Sequence, residues 1–350
     1  MPAKEFVAFT RLDASDVNAY LANKSISNAI INGAFDIWQR GTSFSSPATA
    51  TYTADRFTQG FDGTGATRTI TRELFSPGSA PATSEIGIFH YRYAQSVAGS
   101  GGTFLNIFQQ YVENVRTFSG QTVTYSIWAK AATAGNYVMG IGQNFGSGGS
   151  AFTGAGSRTI AVTTSWQRFS LTVTMPSISG KTIGLNNFLD VYIQATPNTT
   201  FTLDLWGVQL ESGTVANDFR RNANSLQGEL AACQRYFFQM ANSSLDCQLG
   251  PTSRSSTTFS SLTYYLPVQM RVSPTLIASV AGGTFFRSVE YDTSFNITTG
   301  AITGVSILTS INNQVVDMGF TRSAGLAGTY VYQTLDTLGV TPSIAFSAEL

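Results

Sequence analysis

The chain has 350 residues, with 20 Lys and Arg against 20 Asp and Glu, and charged residues make up only 11% of it. A net charge of zero provides no chain-wide attraction for nucleic acids or anionic membranes, which need clustered cations. We therefore expect neither nucleic-acid binding nor membrane insertion, and the amino terminus lacks the apolar core of a signal peptide. The length predicts two domains plus a short accessory segment, and the low charge with 12% aromatic residues is typical of β-rich proteins.

Residues 1–27 are predicted to form a short helical segment. Leu12 and Val17 have the spacing of a hydrophobic staple around a helix start. Val17, Tyr20 and Leu21 then lie at i, i+3 and i+4, which places them on one apolar stripe. The stripe could pack on the following domain, or it could contact other copies of the chain or a larger assembly.

Residues 28–220 are predicted to form a β-sandwich of the jelly-roll kind. Short alternating stretches are separated by clusters of Gly, Ser, Pro and Asn, and the clearest stretches are 121–130 and 166–175. The stretch 28–41, NAIINGAFDIWQRG, predicts a first strand with a glycine kink at Asn32-Gly33. The Gly- and Ser-rich stretch 142–156 predicts a surface loop.

Residues 221–244 are predicted to form a linker helix. Leu226, Leu230, Cys233 and Phe237 recur with 4, 3, 4 spacing, which places them on one helix face. This face could pack between two sandwiches or associate with its copies as a short heptad seam.

Residues 245–350 are predicted to form a second β-sandwich. Apolar residues alternate strictly over 262–272 and again over 344–350. The fold class is therefore all-β, with two jelly-roll-like β-sandwich domains joined by a short α-helix and preceded by a short helical attachment segment.

Classical catalytic constellations are missing from the sequence. His90 is the only histidine, and the two cysteines, Cys233 and Cys247, lack metal-ligand spacing, so we expect both to be free thiols. Triads that need histidine are excluded, and we expect a protein that is not an enzyme. A polysaccharide depolymerase stays an alternative, because glycoside hydrolysis needs only two carboxylates.

Several aromatic residues are candidates for contact with sugar rings. Trp128 and Trp206 fall on the polar phase of their strands, which favours exposure, although packing under a loop is the commoner role for such a residue. Tyr111, Tyr137 and Phe145, which lie near Gly-rich loops, are weaker candidates.

Three phrases resemble phage tail-fibre and related virion proteins. They are the opening phrase 28–41, the closing phrase LWGVQLE at 205–211, and the helix phrase CQRY at 233–236. Phrases similar to YLPVQMRVSPT and FSAEL, near the carboxyl terminus, extend the resemblance. It implies a virion protein that is assembled in the bacterial cytoplasm, attaches to other tail or capsid proteins, forms a homotrimer and adheres to a host cell-surface glycan. A capsid decoration or head-fibre protein is the alternative virion role.

The first domain also resembles carbohydrate-binding jelly-roll modules. Asn32, Gly33, Phe35 and Asp36 match their first-strand phrase, and Asp204 matches an acidic residue of their last strand. The resemblance implies that the first and last strands meet, and it makes a structural calcium ion between Asp36 and Asp204 possible, since Ca²⁺ binds carboxylate oxygens.

Overall fold

The computed structural model describes residues 28–81, 87–241, 247–256, 259–278, 286–291, 297–311, 313–322, 330–335 and 343–350. The predicted amino-terminal helix, with Leu12, Val17, Tyr20 and Leu21, lies outside these residues. No helix within the described ranges is long and apolar enough to cross a membrane.

Two antiparallel sheets face each other in the first part of the chain, and the strands are numbered along the sequence. The six-stranded sheet contains, in spatial order, β1 (Ser43–Ser45), β3 (Thr67–Leu74), β4 (Phe89–Val97), β11 (Phe201–Ser212), β6 (Thr122–Ala131) and β9 (Gln167–Thr174). The five-stranded sheet contains β2 (Thr58–Phe61), β5 (Leu105–Glu113), β10 (Phe188–Gln194), β7 (Gly135–Asn144) and β8 (Thr153–Val162). Their inner faces enclose one large apolar core, as expected for a sandwich.

The alternation in the sequence predicts the central strands correctly. In β6, Val123, Tyr125 and Ile127 are fully buried and face the other sheet. The predicted loop at 142–156 is shorter than expected, because Gly142 lies in β7 and Gly154 lies in β8.

The opening stretch 28–41 is not a strand, which corrects the expectation from its apolar pattern. It forms turns and irregular backbone, and Asn32 and Phe35 have positive φ angles of 62° and 57° that an extended strand cannot accommodate. The stretch still lies against the last strand of the sandwich, since Ala29 N donates to Leu210 O at 2.9 Å and Val208 N donates to Gly33 O at 2.9 Å.

Asn28 and Gly33 hold the opening stretch on β11. Asn28 Oδ1 accepts from Leu210 N at 3.0 Å, while Asn28 Nδ2 donates to Val208 O at 3.1 Å. A Cβ atom at Gly33 would lie only 2.1 Å from Val208 O, so no other residue fits without displacing the backbone. The predicted meeting of the two ends of the domain is therefore made by side chains and close backbone contact.

A single described helix, α1 (Leu226–Gln234), follows the sandwich and is capped by Ser225, whose Oγ accepts from Gly228 N at 3.1 Å. It is shorter than the predicted 221–244, because the chain enters strand β12 (Phe237–Ala241) soon afterwards. The predicted apolar face is divided accordingly: Leu226 is exposed, whereas Cys233 is a buried free thiol. Burial raises the pKa of this thiol well above its usual value.

The last part of the chain is also built from antiparallel strands, which confirms the all-β class. A three-stranded sheet contains β12, β20 (Ser343–Ser347) and β15 (Thr275–Ala278). Six further strands close into a barrel: β13 (Cys247–Ser256), β14 (Phe259–Tyr265), β18 (Val315–Arg322), β17 (Ile297–Ile311), β16 (Phe286–Tyr291) and β19 (Tyr330–Leu335). The alternation at 262–272 continues beyond β14, which ends at Tyr265.

A buried ion pair joins the two parts of the chain. The Arg56 guanidinium binds the Glu349 carboxylate, lies 3.4 Å from the ring centroid of Tyr236, and donates to Tyr111 O at 2.7 Å. Arg40 reaches the other Glu349 oxygen at 3.0 Å. The carboxyl-terminal end of the chain is thereby fastened to the jelly roll.

The close approach at Gly33 yields a first prediction. A Gly33→Ala variant should lose about 1–3 kcal/mol of unfolding free energy, because the new methyl group would overlap Val208 O. Thermal and urea denaturation measure this loss. Gly154→Ala is the matched control, since a Cβ there meets nothing within 4 Å, and equal stability of the two variants would contradict the proposed closure.

Candidate functional site

Strand β10 places a row of aromatic and polar side chains on the outer face of the five-stranded sheet. Its sequence FLDVYIQ alternates, so Leu189 and Val191 are buried in the core while Asp190 and Tyr192 lie on the opposite side. Phe188 and Gln194 continue the row at its two ends.

The neighbouring strand β5 adds matching side chains to this row. Tyr111 lies opposite Asp190, and Gln109 lies opposite Tyr192. The rings of Tyr111 and Phe188 pack with their centroids 4.1 Å apart. We call this set the aromatic strip, and it comprises Gln109, Tyr111, Phe188, Asp190, Tyr192 and Gln194.

Two glycines of β7 leave room for rings beside the strip. A Cβ at Gly140 would lie 2.4 Å from the Tyr192 ring, and a Cβ at Gly142 would lie 2.2 Å from the ring of Phe152. Phe152 is 52% exposed, and it approaches the strip beside Asp190, which pairs with Gly142 in the sheet. Rings therefore lie flat along the sheet at these two positions.

Asp190 has an unusual electrostatic environment for a residue on an outer face. Burial raises the pKa of its carboxyl group to about 7, although a hydrogen bond from Gln109 Nε2 at 3.0 Å opposes the shift. The second oxygen, Oδ1, is buried without a hydrogen-bond partner. The same burial, together with Asp190, raises the pKa of Tyr111 to about 12. Oδ1 is thus shielded from solvent, and Gln109 binds the other oxygen.

The strip opens at its Gln194 end into a depression of about 360 Å³. Val138, Thr159, Phe104 and Pro197 contribute to its lining, and Phe104 is 42% exposed. The row from Phe188 to Gln194 spans ~20 Å at the rise of about 3.3 Å per residue of a β-strand. This is long enough for several sugar rings in succession.

The structure brings only one of the aromatic candidates from the sequence into the strip. Tyr111 is part of it, whereas Tyr137 is buried against Phe201 and Phe145 is fully buried in the core. Neither buried ring presents a face to solvent.

The two tryptophans lie on the outer face of the other, six-stranded sheet. Trp206 is fully buried, with Phe219 at 5.0 Å and Phe75 at 6.2 Å between ring centroids, and half-buried Trp128 packs on the same cluster. Their outward phase was predicted correctly, but rings from loops cover Trp206. Packing, the commoner of the two predicted roles, is therefore the role of Trp206 in this structure.

Asp36 and Asp204 each form an ion pair with an arginine. Asp36 Oδ2 accepts from Arg221 Nη2 at 2.8 Å, and Asp204 accepts from Arg92 at 2.7 and 3.0 Å. Lys130 Nζ also lies 3.4 Å from Asp204. The described ranges hold no group of three or more potential ligands for a metal ion. Separate cations therefore compensate the charges of these two carboxylates, and a calcium ion shared between them stays a prediction.

His90 is packed near Asp204. Its ring lies 4.7 Å from Phe75 and 5.5 Å from Trp166 between centroids, and burial lowers its pKa to about 4 despite the nearby Asp204 carboxylate. The imidazole is therefore neutral at physiological pH.

Sequence reasoning did not identify Asp190, Tyr192, Phe188 or Phe152 as site residues. One signal was available, because FLDVYIQ places two rings and a carboxylate on the phase opposite to Leu, Val and Ile. The glycines of β7 add to this signal only once the pairing of β7 with β10 is known.

No family model and no curated protein matches the chain. Among solved structures, the chain is similar to a CBM4 module (19% identity, TM-score 0.33, 52% of this chain and 98% of that chain). It is also similar to the family 11 carbohydrate-binding module of the cellulase Lic26A-Cel5E of Clostridium thermocellum (11% identity, TM-score 0.31, covering 50% and 98%). A third similar structure is the enzymatically active domain of tailspike protein 4 of bacteriophage CBA120 (13% identity, TM-score 0.33, covering 53% of this chain and 21% of that chain). Likeness at these TM-scores does not extend to function.

The buried carboxyl group of Asp190 predicts a pH effect on stability. Because its pKa is raised from 3.8 to about 7 by burial, the folded state holds this proton more tightly than the unfolded state does, and stability falls as pH rises from about 4 to about 7. Asp190→Asn should remove part of this fall, which urea denaturation at pH 5 and pH 7.5 measures. The control Asp218→Asn removes an exposed carboxylate. An unchanged fall in Asp190→Asn would contradict the raised pKa.

The ion pairs of Asp36 and Asp204 predict the effect of metal removal. Since arginine occupies both carboxylates, EDTA should leave the melting temperature unchanged. A clear decrease in EDTA that added calcium reverses would contradict this assignment.

Proposed function

We propose that this chain is a glycan-binding structural protein of a phage virion, a tail fibre or tailspike-like appendage that adheres to the host surface through the aromatic strip. The observation that supports this proposal is the aromatic strip itself. It combines ring faces and amide groups along one line of an outer sheet face.

These groups complement both the apolar faces and the polar hydroxyl groups of a sugar ring. Aromatic rings such as Tyr192 provide flat apolar faces for the C–H side of a sugar ring, while the amides of Gln109 and Gln194 can hydrogen-bond to hydroxyl groups. A few well-placed polar groups in an otherwise apolar lining are typical of ligand sites. Since the six side chains of the strip include no cation, the strip suits a neutral glycan better than an acidic one.

The virion role is supported by the resemblance of 28–41, 205–211 and 233–236 to tail-fibre phrases. We propose a homotrimer attached to other virion proteins through the amino-terminal segment. Three strips in one appendage would strengthen weak individual contacts through avidity. A capsid decoration protein would use the same strip from a different docking position, and locating the chain in a virion reconstruction distinguishes the two.

We propose that the strip binds without cleaving its ligand. Glycoside hydrolysis uses a pair of carboxyl groups on either side of the scissile bond. Apart from Asp190, the only acidic side chain on the outer face of β5 and β10 is that of Glu113, which is already paired with Arg235 at 3.1 Å. Release of new reducing ends from host polysaccharide by the purified protein would contradict this proposal and support the depolymerase.

Removing one ring tests the strip. We expect Tyr192→Ala to weaken binding to host-surface glycan about tenfold or more, ~1.4 kcal/mol, because a stacking face over Gly140 is lost. Glycan-array binding and adsorption to host cells measure this loss, and thermal melting checks that the fold is intact.

Tyr265→Ala is the matched control, since Tyr265 is exposed but lies on β14, away from the five-stranded sheet. Trp128→Ala tests the alternative face. If Trp128→Ala abolishes binding in a folded protein while Tyr192→Ala leaves it unchanged, the site lies on the six-stranded sheet and the present assignment is wrong.

A further inference from the structure

The Phe188 end of the aromatic strip is bordered by residues that follow the jelly roll in sequence. Phe188 lies opposite Glu113, the last residue of β5. Arg235, just after α1, places Nη2 at 3.1 and 3.2 Å from the two Glu113 oxygens, and Arg271 Nε lies 4.0 Å from the same carboxylate. Two arginines from outside the sandwich therefore meet at one end of the row. We call Glu113, Arg235 and Arg271 the end wall.

The end wall is firmly anchored. Arg271 donates from Nε to Ala348 O and from Nη2 to Glu349 O, both at 2.8 Å, and from Nη1 to Asn186 Oδ1 at 3.1 Å. The Arg271 side chain is only 11% exposed. Because Asn186 lies two residues before Phe188, Arg271 connects the carboxyl-terminal end of the chain directly to the start of the strip.

In the part of the chain that the structure describes, no charged side chain lines the opposite end of the strip. There the row passes Gln194 and continues into the open depression beside Phe104 and Pro197. A chain of sugars lying along β10 could extend beyond the sheet in this direction, whereas in the other direction it meets the end wall.

We infer that the strip binds the end of a glycan chain and not an internal segment. This inference rests on the proposed glycan binding and adds the form of the ligand: a linear saccharide whose terminal ring lies against Phe188, Tyr111 and the end wall, and whose remaining rings run over Tyr192 toward Gln194. An internal segment would need both ends of the strip to be open.

An array with both linkage directions tests this inference. Linear neutral hexasaccharides of glucose, galactose and mannose are printed in matched spots, through the reducing end in one set and through the non-reducing end in the other. The full-length protein should bind a given saccharide in only one of the two orientations, because the linked end cannot enter against the end wall.

The Arg235→Ala variant provides the second part of the test. Arg235 is the more exposed arginine of the end wall, with 42% of its side chain accessible. Its removal should therefore preserve the fold and raise binding to the disfavoured orientation several-fold. Arg220→Ala, at an exposed arginine outside the wall, is the matched control.

Equal binding of the wild-type protein in both orientations would overturn the inference and leave the proposed glycan binding intact. Selectivity for one orientation that Arg235→Ala leaves unchanged would also overturn it, because the wall would not be the cause. Absence of binding in every spot would overturn the proposed function and this inference together.

Discussion

The buried pair of Arg56 and Glu349 is the constraint on which the arrangement of the molecule depends. The two residues are 293 positions apart in the sequence, yet their charges neutralise each other in a place that excludes water. Arg56 also donates to the backbone of Tyr111, so the same guanidinium binds the carboxyl-terminal end of the chain and the backbone of β5 at the aromatic strip. Replacing one partner by a neutral residue would leave the charge of the other buried without a counterion, which typically costs about 3–5 kcal/mol of unfolding free energy.

The two outer faces of the sandwich are covered differently. Over the six-stranded sheet, rings of Phe75, Trp166 and Phe219 fold onto Trp206, and ion pairs around Asp204 satisfy the remaining charges. Over the five-stranded sheet, Gly140 and Gly142 leave room for the rings of Tyr192 and Phe152, and Phe152 is 52% exposed. Packed rings close the six-stranded face, and the five-stranded face is the one on which we propose ligand binding.

The alternation of apolar and polar residues predicted those parts of the fold in which the pattern within one strand determines which side chains are buried. The alternation of β6 identified its inner residues, and the resemblance of 28–41 to the first strand of carbohydrate-binding modules correctly implied contact with β11. The irregular backbone of 28–41 was not predictable in the same way, because the positive φ of Asn32 depends on partners distant in sequence, such as Glu229, which accepts from Asn32 N. The candidate site was missed for a similar reason: strand phase shows that Trp206 points outward, but not that loops cover it.

The most direct test of the central claim is a crystal structure or an NMR chemical-shift map of the full chain with a bound neutral oligosaccharide. We predict sugar rings along β10, with shifts or contacts at Tyr111, Asp190 and Tyr192 and the chain leaving the sheet beside Gln194. A ligand bound at the loops, or over Trp128 on the six-stranded sheet, with no change along β10, would contradict the account.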